Sequence, residues 1–484
     1  MKDNEKLLQI IGEVDEQYVP DPVEQPNTKP VRTFSGRKKI AIASGACAAV
    51  LIGAFALKGA MNPPKLPPQS PTESSAAEQS SMEDSRPDET SKPENSHTEP
   101  ITTDVPPIPP ISDEAFAQLL AEHRIYPPIS DIQAKNTELA PIASDIIFGD
   151  MGFEGYLAYD IAELDTINPW SPDVPLATLP VYKNLSLRDD CTLSVYLTQQ
   201  QMEQMAADAA YAMDLAIQST TVERIGDLSP HLPAELADLP YCVETICDGS
   251  KYNTGTISIR VFGDGQMAVK FVTRNMALPK AYSFTGSKTT GEQAATALDY
   301  LAGVFRGLLQ FESPAPYSYA DRNIYGSRNR SYYIYNKCED YKQDILSYNF
   351  TKVEFCPGGR NALMIIRLDN PLAAAENVGE YPIIDAQEAT QLLLKGSYIS
   401  SVPADYLVNG EITPEAIGKT ELIYRLGTRD AYYQPYYRFY VELSDAYYAE
   451  GSRLEGLKEY GAFYVPAVES RYLADLPVWD GSFN

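Results

Sequence analysis

The chain has 484 residues, 44% of them hydrophobic, and a formal net charge of −27. That length predicts two or three domains with real cores, and an acidic body with no basic stripe speaks against nucleic-acid binding. Six cysteines are too few for a disulfide framework in a chain this long.

The charge is uneven. Residues 1–39 carry seven Lys/Arg and seven Asp/Glu, so the whole excess of acid lies beyond them. Near the start, Leu7, Leu8, Ile11, Val14 and Tyr18 fall on one face of a short helix. A helix of this length is unstable alone, so the spacing predicts that it lies on a membrane or binds a protein partner, unless the periodicity is that of an unstructured tail. Residues 21–30 are proline-rich and read as a spacer.

Ile40 to Leu57 is an uncharged apolar run. At 1.5 Å per residue it would span about 27 Å, close to the hydrocarbon thickness of a bilayer. Arg37, Lys38 and Lys39 precede it and acidic sequence follows. The expectation is a single transmembrane helix over 39–60, with the N-terminus cytoplasmic and the rest outside the cell membrane. A cleaved secretory signal, with Ala54-Phe55-Ala56 as its cut site, would need a shorter leading region than 39 residues. A lipoprotein reading at Cys47 is opposed by the apolar sequence that continues past it. Ala41, Gly45, Ala49 and Gly53 recur every four residues, a small-residue face suited to a second copy or a partner helix. An alanine-rich span also produces such a stripe by composition alone.

Residues 61–111 are rich in Pro, Ser, Glu and Thr and predict a disordered tether spanning roughly 40 Å. Ser112 then reads as the N-cap of a helix carrying Phe116, Leu119 and Leu120. Residues 130–190 suggest loops and short strands. Beyond them a helix followed by antiparallel strands recurs. The first unit has a helix at 199–218 and strands at 241–247, 254–262 and 266–273, the last two turning at Gly263-Asp264-Gly265. The second has a helix at 291–310, opened by a Thr290/Gln293 capping box, and strands at 331–336, 349–356 and 362–368. The third has a helix at 386–395, capped by Asp385 and stopped at Gly396, with strands at 419–426, 434–443 and 461–467.

The fold class expected is therefore α+β: a transmembrane helix, a tether and an ectodomain of repeated helix-plus-antiparallel-sheet units. The parts are 1–38, 39–60, 61–111, an α+β region over 112–372 and a C-terminal unit over 373–484. No glycine-rich strand-to-helix turn marks a nucleotide site.

Candidate chemistry is sparse. His97, His123 and His231 are the only histidines, and none sits in a triad or zinc motif. Outside the apolar run lie Cys191, Cys242, Cys247, Cys338 and Cys356, an odd number, so at least one thiol stays free or pairs between chains. Cys242 and Cys247 are five apart, which on a strand puts them on opposite faces. Carboxylates such as Asp160, Glu163 and Asp165 are plentiful, and nothing marks one pair above another. The sequence thus predicts no cofactor, no metal and no enzyme.

Tyrosine is more informative, at 33 against 2 Trp. Tyr432, Tyr433, Tyr436 and Tyr437 cluster in one stretch. Such rings suit glycan or peptide contact; a half-exposed antiparallel sheet also favours them.

At Leu392-Leu393-Leu394-Lys395-Gly396-Ser397-Tyr398-Ile399, at Pro435-Tyr436-Tyr437-Arg438-Phe439-Tyr440 and at Tyr464-Val465-Pro466-Ala467-Val468, the C-terminal unit resembles YycH/YycI-type extracytoplasmic regulators of a Gram-positive cell-wall signalling system, and also PepSY-like domains. The tip Leu7 to Asp15, with the basic residues and apolar run after it, is similar to many uncharacterised single-pass proteins of Clostridia type. The resemblance implies a non-enzymatic envelope protein that binds a partner or ligand and regulates signalling. A wall-associated module binding glycan or peptide is the alternative. No site residues carry over.

Overall fold

The computed structural model describes residues 104–125, 134, 138–143, 168–187, 195–228, 233–322, 328–359, 361–427, 430–444 and 460–474. The tip face of Leu7, Leu8, Ile11, Val14 and Tyr18 and the small-residue stripe of Ala41, Gly45, Ala49 and Gly53 lie outside them, as do His97, His231, Cys47 and Cys191.

In chain order the main elements are α1 (Asp113–Glu122), β1 (Thr178–Asn184), α2 (Gln199–Ala212), β2 (Ile217–Arg224), β3 (Pro240–Asp248), β4 (Thr256–Phe262), β5 (Met267–Phe271), β6 (Met276–Ala277) and α3 (Gly291–Val304). Then follow β7 (Pro314–Arg322), β8 (Arg328–Asn336), α4 (Tyr341–Phe350), β9 (Val353–Pro357), β10 (Ala362–Leu368), β11 (Ala375–Pro382) and α5 (Ala386–Leu394). The last strands are β12 (Ile417–Tyr424), β13 (Tyr432–Tyr433), β14 (Pro435–Glu442) and β15 (Tyr460–Pro466).

The fold class corrects the expectation. The protein is mostly antiparallel sheet with few helices, not a series of separate helix-plus-sheet units. Strands that read as two units share one nine-stranded sheet, in the order β2-β3-β4-β5-β10-β9-β8-β7, with β6 beside β10. The reason is an open edge: β5 and β10 would each end a small sheet, and they pair with each other instead, Lys270 opposite Ile365 and Met267 opposite Leu368. Nor is a transmembrane helix part of the observed fold. Among the described residues no helix is long and apolar enough to cross a membrane, and the run 40–57 lies outside them.

Helix ends follow local chemistry. Ser112 caps α1 by accepting the Ala115 N–H, and Thr290 with Gln293 closes the capping box of α3. A second box, Thr198 with Gln201, opens α2. That helix stops at Ala212, well short of the expected 218, because Asp214 turns the chain with φ +56° and β2 begins at Ile217. Residues 104–111, the end of the expected tether, are largely exposed but tied to the folded part: the Ile108 N–H donates to Tyr300 Oη at 3.2 Å and Asp104 Oδ1 accepts the Lys280 N–H at 3.0 Å.

One face of the large sheet is covered by α2 and α3. Met202 and Ala206, with Leu298 and Leu301, meet Val243, Ile257, Val269 and Phe271 in one core. Behind β7 and β8, Tyr317, Tyr335 and Tyr348 pack together, the last from α4. Two three-stranded sheets complete the molecule, β12-β14-β15 and β11-β1-β13. β1 thus lies upstream of the large sheet in sequence yet pairs with strands downstream of it. The chain leaves β1 and returns to β11 at one point, where the Leu185 N–H donates to Ala374 O at 2.8 Å.

Candidate functional site: an acidic cavity and an open sheet edge

The C-terminal tyrosines are largely interior. Tyr433, Tyr436 and Tyr437 are 4%, 3% and 2% exposed, and Tyr432 is half-buried against Val181 and Tyr381. Tyr437 donates its hydroxyl to Ile384 O at 2.7 Å. These rings build core and leave no tyrosine platform on β14 for a glycan. The structure separates them, too: Tyr436 packs with Ile399 and Tyr464, while Tyr433 and Tyr437 share a core with Phe439 and Leu422.

Tyr433 also lines a cavity. This space of about 80 Å³ lies among Ser186, Asp264, Gln266, Asp369, Pro371, Leu426 and Tyr433. It sits where the β4–β5 turn and the end of β10 meet the segment after β1 and the strand β13. The turn is the Gly263-Asp264-Gly265 signal of the sequence. Gly265 holds φ +93°, and a Cβ there would come within 2.7 Å of Ala373 Cβ and 2.9 Å of Asn370 O, so the turn seats tightly on the segment after β10. On its other side Gly263 O accepts the N–H groups of Tyr196 and Leu197, at 2.7 and 2.8 Å.

Two carboxylates share this space. Asp264 Oδ1 accepts the Gln266 N–H at 3.0 Å. Burial nevertheless pushes the Asp264 carboxyl up to about 6, against backbone hydrogen bonds that favour its charge, and the nearby charge of Asp369 adds to the rise. Asp369 is also raised, first by burial; Glu354 adds to this while Lys352 and Arg367 oppose it. By surface area both side chains are only partly buried, and the charge of Asp369 is the smallest of the influences on Asp264. Drug-sized ligands occupy roughly 300 Å³ or more, so this cavity suits a few waters. It can hold a proton; a sugar ring is too large for it.

Elsewhere chemistry is quiet. His123 Nδ1 lies 2.8 Å from Asp208 Oδ1, and its ring sits against Tyr211, with centroids 4.0 Å apart. Cys242, Cys247, Cys338 and Cys356 are all free thiols. Cys242 and Cys247 do point to opposite faces of β3, since Cys247 joins the helix-side core and Cys242 a separate cluster with Tyr241 and Phe262. Among the described residues no group of three or more His, Cys, Asp or Glu could hold a metal.

The open edge of the large sheet is the second feature. Among the described residues β2 pairs with β3 alone, and Ile217 through Thr221 are exposed. Its first six residues, Ile-Gln-Ser-Thr-Thr-Val, carry no charge and no proline. The opposite edge, β7, contains Pro314 and Pro316, which cannot donate to an added strand. Sequence reading missed both features. The expected helix over 199–218 takes in only Ile217 and Gln218 of β2 and no element is expected over the rest of it, while the cavity joins Asp264 and Asp369 across a strand pairing that no local signal announces.

No family model matches the chain, and no curated protein matches it. Among solved structures, an uncharacterized protein from Eubacterium rectale is similar over 61% of this chain and 84% of its own, at 9% identity and a TM-score of 0.26. A score that low says nothing of function or fold.

Proposed function

We propose that the chain is a non-enzymatic envelope protein that binds an extended segment of a protein partner along β2 and regulates a membrane signalling system. The supporting observation is the edge itself: eight residues that, among the described residues, are paired on one side only, the first six uncharged. An unpaired row of backbone N–H and C=O groups is a template for one further strand. A chain of net charge −27 repels other acidic surfaces, and this strand is a place where another backbone approaches without that penalty. Attachment at the membrane is supported by the apolar run 40–57 behind Arg37, Lys38 and Lys39. A regulatory role is supported by the resemblance of the C-terminal unit to YycH/YycI-type proteins.

The test is site-specific photo-crosslinking in cells from positions 219 and 315, in β2 and β7. Adducts with a single protein from β2 alone, lost in a Ser219→Lys/Thr221→Lys double variant, are the expected result. Both side chains are exposed, so the double variant should stay within about 0.5 kcal/mol per site of wild-type stability. Crosslinks that survive the lysines, or that form equally from β7, would sink the strand-addition reading. An unchanged envelope transcriptional profile in the double variant would sink the regulatory one.

A further inference from the structure

We propose that residues 105–111 form a rigid polyproline strap whose two outer edges dock a partner protein through a groove lined with Trp and Tyr. The inference does not depend on what binds β2.

The strap reads Val-Pro-Pro-Ile-Pro-Pro-Ile. Proline fixes φ at about −65°, and runs of it favour the polyproline II helix, with three residues per turn and a rise of about 3.1 Å. On such a helix Val105, Ile108 and Ile111 fall on one edge, Pro106 and Pro109 on a second, Pro107 and Pro110 on a third. Exposure follows the same period of three. Val105, Ile108 and Ile111 are half-buried, and all four prolines are exposed. One edge is seated and two face outward, along a ridge of about 19 Å.

The seat is built for the inner edge. Tyr282 and Tyr300 stack with centroids 4.4 Å apart, and Ile108 packs with them against the core under α2 and α3. Residues 106–110 hold one backbone N–H, that of Ile108, and it donates to Tyr300 Oη at 3.2 Å. At one end the Lys280 N–H donates to Asp104 Oδ1 at 3.0 Å; at the other Ser112 caps α1. Gly303 and Gly307 lie beneath the far end, where a Cβ would stand 4.0 Å from Pro110 Cβ and 3.4 Å from Ile111 Cδ1. No side chain there lifts the strap off α3.

The chemistry of the ridge selects what docks on it. Each proline offers an apolar ring and a carbonyl, with no N–H beside them. Trp and Tyr answer both, with a flat face for the ring and an N–H or O–H for the carbonyl. Pro106 with Pro109 and Pro107 with Pro110 repeat the Pro-x-x-Pro spacing that aromatic grooves read. Beside the first doublet lies an open cavity of about 330 Å³, with Pro106 and Pro107 on one side and Pro279, Ala281 and Tyr282 on the other. It has room for one aromatic side chain of the partner. Because the strap is ordered before binding, the partner is spared most of the entropy of fixing a free segment.

Photo-crosslinking of the full-length chain in cells from position 281, an exposed wall of the cavity, tests the docking. Expected is an adduct whose partner peptide carries Trp or Tyr. It should be lost in Pro106→Ala/Pro109→Ala and equally in Pro107→Ala/Pro110→Ala, each of which strips one outer edge. Hydrogen exchange at the Ile108 amide should stay slow in both variants, because the seated edge is untouched. No adduct, an adduct that survives either pair of substitutions, or a partner peptide without an aromatic residue overturns the proposal. Fast exchange at Ile108 in the wild type overturns it equally. Should the alanines also free Ile108, competition decides: a synthetic peptide of residues 104–111 added to broken cells should suppress the wild-type adduct, and an undiminished adduct overturns the docking.

Discussion

Beneath α2 and α3 the large sheet is packed mostly with side chains that carry no polar atom to place, such as Met202, Val269, Leu298 and Ile366, and its two buried tyrosines, Tyr252 and Tyr332, donate to Met213 O and Thr285 O. The C-terminal sheets are packed instead with tyrosines whose hydroxyls must find acceptors. Tyr424 donates to Pro180 O at 2.8 Å, Tyr381 to Ala140 O at 2.8 Å and Tyr437 to Ile384 O at 2.7 Å. Each ring buries apolar area and each hydroxyl ties its strand to a distant segment. The first core is held chiefly by volume; the second is held by volume and by a larger set of directed bonds. The second kind has more ways to fail.

The largest expected effect strikes the polar part of that second core. Glu421 is 1% exposed and is met by Arg438 at 2.5 Å, Lys419 at 2.8 Å and the Tyr440 hydroxyl at 3.2 Å. Glu421→Ala removes a buried acceptor shared by Arg438, Lys419 and the Tyr440 hydroxyl and should cost about 3–5 kcal/mol, read as a fall in the urea midpoint. Leu298→Ala, the matching cut in the aliphatic core, should cost about 2–5 kcal/mol; a near-zero value would show that α3 is not the lid of that core. Gly265→Ala attacks the seam between the two and should cost about 1–3 kcal/mol, since the left-handed backbone and the contact with Ala373 both oppose a Cβ. Smallest is Tyr437→Phe, which removes one hydroxyl and leaves Ile384 O without its donor, for about 1 kcal/mol. If Tyr437→Phe proved neutral, the contrast between the two cores would reduce to volume.

What the sequence made legible was local. The capping box at Thr290, the cap at Asp385, the hairpin at Gly263-Asp264-Gly265 and the strand 362–368 all stand where patterning put them, because each depends on a few neighbouring residues. α4 was read as loop and strand for a physical reason. Every residue from Asp344 to Phe350 is buried, so the helix has no polar face to betray its period. Its polar members are spent inward: Asp344 accepts the Cys338 N–H and Asn349 accepts the Tyr424 N–H. The tyrosines of β14 misled in the same way. Seven residues of its eight-residue run are apolar, aromatic or paired in the interior, and Pro435 to Tyr437 and Phe439 to Val441 are all buried. A strand covered on both faces loses the alternation that separates inside from outside. The acidic cavity was the least legible feature, since Asp264 and Asp369 meet only after β5 and β10 have paired.

The hydrogen bond between Leu185 and Ala374 has a consequence for how such a chain is assembled. Asn184 stands opposite Ala375, so β1 and β11 form a hairpin whose loop happens to be the entire large sheet. The sheet is, in effect, an insertion with both ends stitched at a single point. Closing 184 onto 375 with a short turn would remove that sheet together with Leu346 and Phe350 of α4, which pack in the C-terminal core, and would leave behind α1, whose Leu119 packs in the sheet's own core. The ends of the insertion are a turn's width apart, yet α1 and α4 each reach across from one side of that junction into the core of the other.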